Sequence, residues 1–406
     1  MSSAAPQPGT ALRPRVLLVC GRLDPERDGV GDYVVRLAGA LRAEGARVRI
    51  LHLGAAAGAR GSRSVGTRWG PAGLLRAARA ARGADVVHVQ FAPSMYGFRL
   101  GVGLLPLLLR RVALVTTVHE YGSWRWERLL PAPLWRAMER RGVADRETAL
   151  LVPRSDAVVA TNLAHSTAVR HRFSGRVPDE TIPIGANVAV AADVEAASTR
   201  DEVRAGLGLP PEAVVAAFFG FVHPVKGVRY LADAVARLVG EGRDVHALVV
   251  GGFESLALPR EEAADFETEL RGHLAEAGVT DRVHVTGFRD ADAVSRLLAA
   301  ADLGVLPFTH GVTAKSGSLL TLLAHGLPTV VTSGESTEPE LVDGDRVVVV
   351  PQVRDGVALA DGLRRLLDDP ALAARIADQG RRWTATRSWQ AIAARHLDVY
   401  RDAART

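Results

Sequence analysis

Cysteine is nearly absent from this chain of 406 residues; Cys20 is the only one. A single thiol excludes a disulfide within the chain and any cysteine-based zinc site. Cys20 closes the apolar run RVLLVC, where a buried strand thiol is the expected state. Lysine is almost missing too. Only Lys226 and Lys315 break a basic complement of 50 residues that is otherwise arginine. Long hydrophobic runs are lacking. The longest, LGVGLLPLLL (100–109), falls short of the roughly 20 residues of a membrane-spanning helix. It holds Gly and Pro and runs into Arg110 and Arg111, which fits a core or interfacial helix. The first 14 residues have no apolar signal core and read as a flexible tail of a cytoplasmic protein. A net charge of +5 suits an anionic substrate, and no motif for RNA or DNA is present. No carboxylate or Cys/His cluster with metal-ligand spacing stands out, so no metal or cofactor is expected.

What is present is the composition of a globular chain, 48% hydrophobic and 23% charged, long enough for two or three domains. Short β-branched or leucine-rich runs alternate with Ala/Leu/Arg-rich helical patterns. RVLLVC (15–20), RVRILHL (47–53), ADVVHVQ (84–90), ALVTTVH (113–119) and DAVVAT (156–161) read as strands. VGDYVVRLAGALRAEG (30–45) reads as a helix between the first two. The pattern restarts with VVAAFFG (214–220), HALVVGG (246–252), RVHVTG (282–287), LGVLPF (303–308), PTVVT (328–332) and RVVVVP (346–351). Strands separated by helices predict a parallel sheet covered on both faces, here twice over. The expected division is a tail (1–14), a Rossmann-like domain (15–188), an interdomain crossing (189–212), a second Rossmann-like domain (213–385) and a final helical segment (386–406).

In doubly wound domains ligands sit at the carboxyl ends of strands, where helix N-termini offer free N–H groups to phosphate. Gly29 and Gly31, in DPERDGVGDY after the first strand, would let a ligand approach the backbone. His119 ends TTVH and can donate to a sugar hydroxyl or a developing charge. Lys226 lies in HPVKG, between a strand and a helix. Thr313, Lys315, Ser316, Gly317 and Ser318 lie before or in the first turn of an apolar helix. Helix capping accounts for one hydroxyl there and does not call for a lysine. A compact charge on a flexible stem suits a diphosphate that arrives and leaves.

Taken in order, DGVG, TVHE, IPIGANV, GFVHPVKGVRYLADAVARL, VHVTGFRDADAVSRLLAAADLGVLPF, LLAHGLPTVVT and EPELVDG resemble the retaining glycosyltransferases of family 4, with the GT-B fold, over nearly the whole chain. The resemblance implies two Rossmann-like domains facing across a cleft, the second binding a nucleotide-diphosphate sugar and the first most of the acceptor. It implies a last helix (389–405) that returns to the first domain, and no required metal. Lys226 would neutralise the leaving diphosphate, helped by the amides around Ser316, Gly317 and Ser318, with Gly29 and Gly31 approaching from the other domain. His119 would contact the donor sugar, and Phe288, in VTGF, would flank the base. The sequence departs from the family at the usual pair of glutamates, here Thr313 and Thr321, and at the usual arginine, here Phe221. Lys315 is the candidate to replace that arginine's charge.

Acceptor contacts are expected from Tyr96, Glu120, Tyr121, Trp124 and Trp126, in QFAPSMYGF and the Arg/Trp-rich stretch 120–142. Aromatic faces suit sugar or cyclitol rings, and arginines suit an acceptor phosphate or carboxylate. Core tryptophans under a lid and a basic membrane-binding face are the competing readings of the same stretch. The Arg-rich, Lys-poor usage resembles that of GC-rich genomes such as actinobacterial ones. There, aminocyclitols and other secondary metabolites of antibiotic pathways are plausible acceptors, beside glycolipids and polysaccharides. A nucleotide-sugar epimerase of the same architecture and a non-catalytic relative binding nucleotide or a partner remain open. The oligomeric state is not legible.

Overall fold

The computed structural model describes residues 13–54, 59–122, 124–125, 130–191, 194, 197–254, 259–334 and 338–405. The chain divides into two compact units, Met1–Pro183 with Trp389–Thr406, and Ile184–Ser388. Most of the expected tail, and Trp126, lie outside the described residues.

The first unit contains strands β1 (Arg15–Arg22), β2 (Arg47–Leu53), β3 (Ser62–Ser64), β4 (Val86–Phe91), β5 (Ala113–Val118), β6 (Ala157–Ala160) and β7 (Asp179–Thr181). They form one parallel sheet in the order β3-β2-β1-β4-β5-β6-β7. Its helices are α1 (Gly29–Ala43), α2 (Pro71–Ala81), α3 (Ala132–Arg140) and α4 (Leu163–Phe173). β4 and β5 are buried along their whole lengths, because helices cover both faces of the sheet. The edge strands β3 and β7 are three residues each and polar, so neither carries the apolar signal by which a strand is read. Within 100–109 the segment Gly101–Leu108 is a 3₁₀ helix; Pro106 lies inside it, and Val102 and Leu105 are buried.

The second unit holds α5 (Ala197–Gly206), β8 (Val214–Phe219), α6 (Val228–Gly240), β9 (Val245–Val250), α7 (Arg260–Glu276), β10 (Val283–Val285), α8 (Ala291–Ala299), β11 (Leu303–Leu306), α9 (Gly317–Ala324), β12 (Thr329–Thr332), β13 (Val348–Val350), α10 (Gly356–Asp368) and α11 (Pro370–Ala385). Its parallel sheet runs β10-β9-β8-β11-β12-β13. One apolar cluster fills it, from Phe218 and Val249 in the strands to Leu231, Leu322 and Ile376 in the helices.

Residues 189–212 are not a bare crossing. They belong to the second unit and contain α5, which packs on α8. Arg204 is the reason. Its guanidinium is buried and donates to Ala300 O, Pro211 O, Ala213 O and the Asp302 carboxylate. A fork of fixed donors that meets four acceptors pins the segment to the sheet. The last helix, α12 (Trp389–Ala403), packs on α1 in the first unit and buries Ile392, Ala393, His396 and Tyr400.

Candidate functional site

Both sheets reverse their strand order once, β1 beside β4 and β8 beside β11. Loops diverge at such a point, which leaves room at the carboxyl ends of the strands. Gly29 and Gly31 follow β1 and Lys226 follows β8, next to these points; His119 and Phe288 follow other strands, β5 and β10.

In the first unit, α1 is started by Asp28, whose carboxylate accepts the Gly31 N–H at 2.7 Å. Burial raises the Asp28 pKa; the Gly31 amide and Arg22 oppose the shift, and Glu120 and Asp24 reinforce it. Gly29 faces open space, whereas a Cβ on Gly31 would press on the Asp24 backbone at 3.0–3.1 Å. Gly29 therefore leaves its backbone approachable, and Gly31 serves the turn. His119 continues the β5 ladder through its N–H to Phe91 O and is nearly buried, with Tyr33 of α1 edge-on to its ring at 4.7 Å. Ser94, after β4, directs its hydroxyl at the Glu120 carboxylate, 3.4 and 3.5 Å from its two oxygens.

The proposed acceptor residues separate on this geometry. Glu120 is exposed at the strand end. Trp124 is half-buried, its ring 6.0 Å from that of the exposed Phe98. Tyr96 and Tyr121 correct the sequence reading. Tyr96 is buried and donates to Gln90 O at 2.9 Å; Tyr121 is buried, donates to Asp145 at 3.1 Å and lies under Arg172. Both hydroxyls are consumed by the fold. Trp135 is buried in α3 as a packing residue.

In the second unit, β8 leads through Gly220 to a 3₁₀ turn, Pro224–Lys226, and then into α6. Gly227 makes the junction with φ +71°, and a Cβ there would lie 1.9 Å from Pro307 O. This close fit holds the Lys226 loop against the chain leaving β11. The Lys226 amine stands 3.7 Å over the Phe308 ring. Among the described residues no carboxylate pairs with it, and burial lowers its pKa from 10.5 to about 8. α9 opens from the next loop. Ser316 caps it by accepting the Leu319 N–H at 3.3 Å, while Ser318 directs its hydroxyl towards Gly220, where a Cβ would be 2.9 Å away. Lys226, Gly220, Phe308 and Ser318 thus converge at a helix N-terminus.

Other members of the expected set are placed differently. Lys315 is half-buried and acts on Glu338, whose carboxylate also accepts the Ala314 N–H; burial nevertheless raises the Glu338 pKa. Gly317 does not leave the helix mouth open. The Asn187 side chain occupies the space, 1.5 Å from where a Cβ would sit. Thr313 is half-buried, and its carbonyl accepts the Ser316 N–H. Thr321 corrects the reading of a ribose contact. It is fully buried, and its hydroxyl accepts the Val188 N–H at 3.2 Å. Phe288 is 58% exposed after β10, its N–H beside Gly252. Asp28, Ser94, Asn187 and Glu338 were missed by sequence reasoning. All four lie in stretches quoted above, DGVG, QFAPSMYGF, IPIGANV and EPELVDG, without having been singled out; Asp28 also carried the local signal of an acidic cap one residue before a helical pattern.

Among the described residues no group of three or more His, Cys, Asp or Glu could hold a metal ion, and no helix is long and apolar enough to cross a membrane.

This pair of doubly wound parallel units is the two-domain Rossmann-like architecture of the GT-B class. HepE from Anabaena, solved in complex with UDP, has the same fold, with a TM-score of 0.73 at 18% identity over 95% of this chain and 99% of that one. The profile described as Glycosyltransferase Family 4 matches residues 27–189, and that described as Glycosyl transferases group 1 matches 213–369. The MMP alpha-(1->4)-mannosyltransferase of Mycolicibacterium hassiacum is 30% identical over 351 residues, 81% of this chain and 74% of that protein. The chain belongs to glycosyltransferase family 4. The 2-deoxystreptamine glucosyltransferase of Streptomyces kanamyceticus is 31% identical over 229 residues, 56% of this chain. The match spans about half the length of that relative, 53%.

Proposed function

We propose that the protein is a retaining glycosyltransferase that moves a sugar from a nucleotide-diphosphate sugar to a hydroxyl of a small-molecule acceptor. Lys226 carries the reading. An amine without a carboxylate partner among the described residues, half-buried beside a helix N-terminus, costs free energy until an anion arrives. A diphosphate supplies the missing charge. During transfer the bond from the anomeric carbon to the diphosphate oxygen breaks with its electron pair on that oxygen. Lys226, with the Ser318 hydroxyl beside Gly220, balances the charge that develops. The acceptor oxygen bonds to the anomeric carbon on the same face, and its proton leaves with the departing phosphate. No metal is needed for this charge balance, and EDTA is expected to leave turnover unchanged.

The family, the UDP bound by HepE and the aminocyclitol named in the Streptomyces relative favour a nucleotide-sugar donor and an aminocyclitol-like acceptor. Glu120, Trp124 and Trp126, the last outside the described residues, are the acceptor candidates that remain after Tyr96 and Tyr121 are assigned to packing. A non-catalytic nucleotide binder is the second reading, favoured by the burial of Thr321 where the family usually has a glutamate. The two separate when UDP-, GDP-, ADP- and dTDP-sugars are offered with and without 2-deoxystreptamine. Transfer or slow donor hydrolysis is the expected result; donor binding with neither would leave the non-catalytic reading.

A further inference from the structure

One face of the first sheet is polar under two helices. His88 and Gln90 on β4 project to the same side, as do Thr117 on neighbouring β5 and His119 just after it. α1 brings Tyr33 over this face and α12 brings His396 and Tyr400. His88, Gln90, Thr117, His396 and Tyr400 are all buried, so each polar atom needs a protein partner.

The partners form one chain. Tyr400 Oη is 2.6 Å from His88 Nδ1. His88 Nε2 is 3.0 Å from Gln90 Nε2 and 2.7 Å from Thr117 Oγ1, a hydroxyl that can donate to it as well, and Gln90 Oε1 is 2.9 Å from His119 Nε2. An amide nitrogen only donates, so His88 Nε2 accepts. A neutral imidazole has one acceptor, which leaves the His88 proton on Nδ1, donated to the Tyr400 hydroxyl oxygen. An amide oxygen only accepts, so His119 Nε2 must carry a proton. Burial together with His396 and His119 lowers the His88 pKa well below its ordinary value, which keeps that ring neutral.

We propose that Gln90 is a positioning residue that holds His119 as the Nε2-protonated tautomer, through a proton order anchored at Tyr400 on the last helix. Its use in catalysis rests on the transferase reading above; the tautomer itself does not. In that reading, Gln90 keeps a proton on Nε2 of His119 by accepting its hydrogen bond. Rotating the amide would reverse every donor in the chain, so the arrangement is set as a unit. A residue that fixes a catalytic ring's tautomer through its other nitrogen is a known way to tune a site.

The test is long-range ¹H–¹⁵N spectroscopy of the full-length protein with ¹⁵N-histidine, assigned with His119→Asn. The wild type is expected to show His119 protonated at Nε2 and His88 at Nδ1. In Gln90→Glu both carboxylate oxygens accept, so the His88 proton should move to Nε2 while His119 stays as it is. In Gln90→Leu His119 should populate both tautomers, and donor turnover should fall about 10- to 100-fold, partly rescued by Gln90→Glu. A wild-type His119 proton on Nδ1, or a Gln90→Leu spectrum unchanged at His119, overturns the proposal. If Gln90→Leu does not fold, the near-isosteric Gln90→Met, which also lacks the amide oxygen, replaces it with the same expected and overturning results. The expected tautomers with no turnover of any donor would support the positioning role and sink the transferase reading instead.

Discussion

At the scale of the residue, the two lysines that stand out from an arginine-rich chain have different surroundings. Lys226 has no carboxylate among the described residues and a pKa lowered to about 8, whereas Lys315 acts on Glu338. Lys226→Ala should therefore weaken donor binding about 10- to 100-fold by calorimetry, and Lys315→Ala less than threefold, on the scale of one desolvated against one compensated charge. The pH dependence has a definite sign. A diphosphate raises the Lys226 pKa, so donor binding takes up a proton near pH 8 and weakens as the pH rises beyond it. Calorimetry in two buffers of different ionisation enthalpy reads that uptake, and Lys226→Ala should abolish it. Stability moves the other way. The unfolded amine keeps its proton up to 10.5 and the folded one only to about 8, so stability rises with pH between those values. Lys226 and His119 were legible because a strand-end charge or imidazole shows in the order of residues. Thr321 and Tyr96 were not, since the partner that buries each hydroxyl, Val188 N–H or Gln90 O, is supplied by the fold.

At the scale of the element, loops hold the candidate side chains, and glycines and buried polar groups hold the loops. Gly227→Ala meets both a left-handed φ and the Pro307 carbonyl. It should destabilise the second unit by more than about 1 kcal/mol in urea and disturb Lys226 with it. Arg204→Ala, which leaves three carbonyls without this donor while Asp302 keeps Arg200 and the Val215 N–H, should cost about 1–3 kcal/mol. This helix, α5, was read from sequence as a crossing because it is short, polar and rich in small residues; its anchors are Arg200 and Arg204, whose acceptors around Ala299–Asp302 come from about a hundred residues away. The long apolar strands and amphipathic helices were legible, because parallel strands buried on both faces are continuous apolar runs. The three-residue polar strands at the edges of the first sheet are held by backbone pairing and, in β7, by Ser166 and Arg170 on Asp179 and Arg395 on Glu180, none of which leaves an apolar pattern in the sequence.

At the scale of the molecule, two doubly wound units account for the chain's length, its alternation of strands and helices, and its family. The sequence shows where each sheet's strands end, and the candidate side chains of each unit do lie at those ends. Within each unit they divide into groups that face open space or lack a counter-charge and groups the fold has already satisfied. The central claim is that the second unit binds a diphosphate through Lys226. The most direct measurement is calorimetry of the full-length protein with UDP-, GDP-, ADP- and dTDP-sugars, repeated with Lys226→Ala. The account predicts that one nucleotide class binds and that the substitution removes most of the affinity. Binding of a donor with equal affinity by both proteins, or of none by a folded wild type, would contradict it.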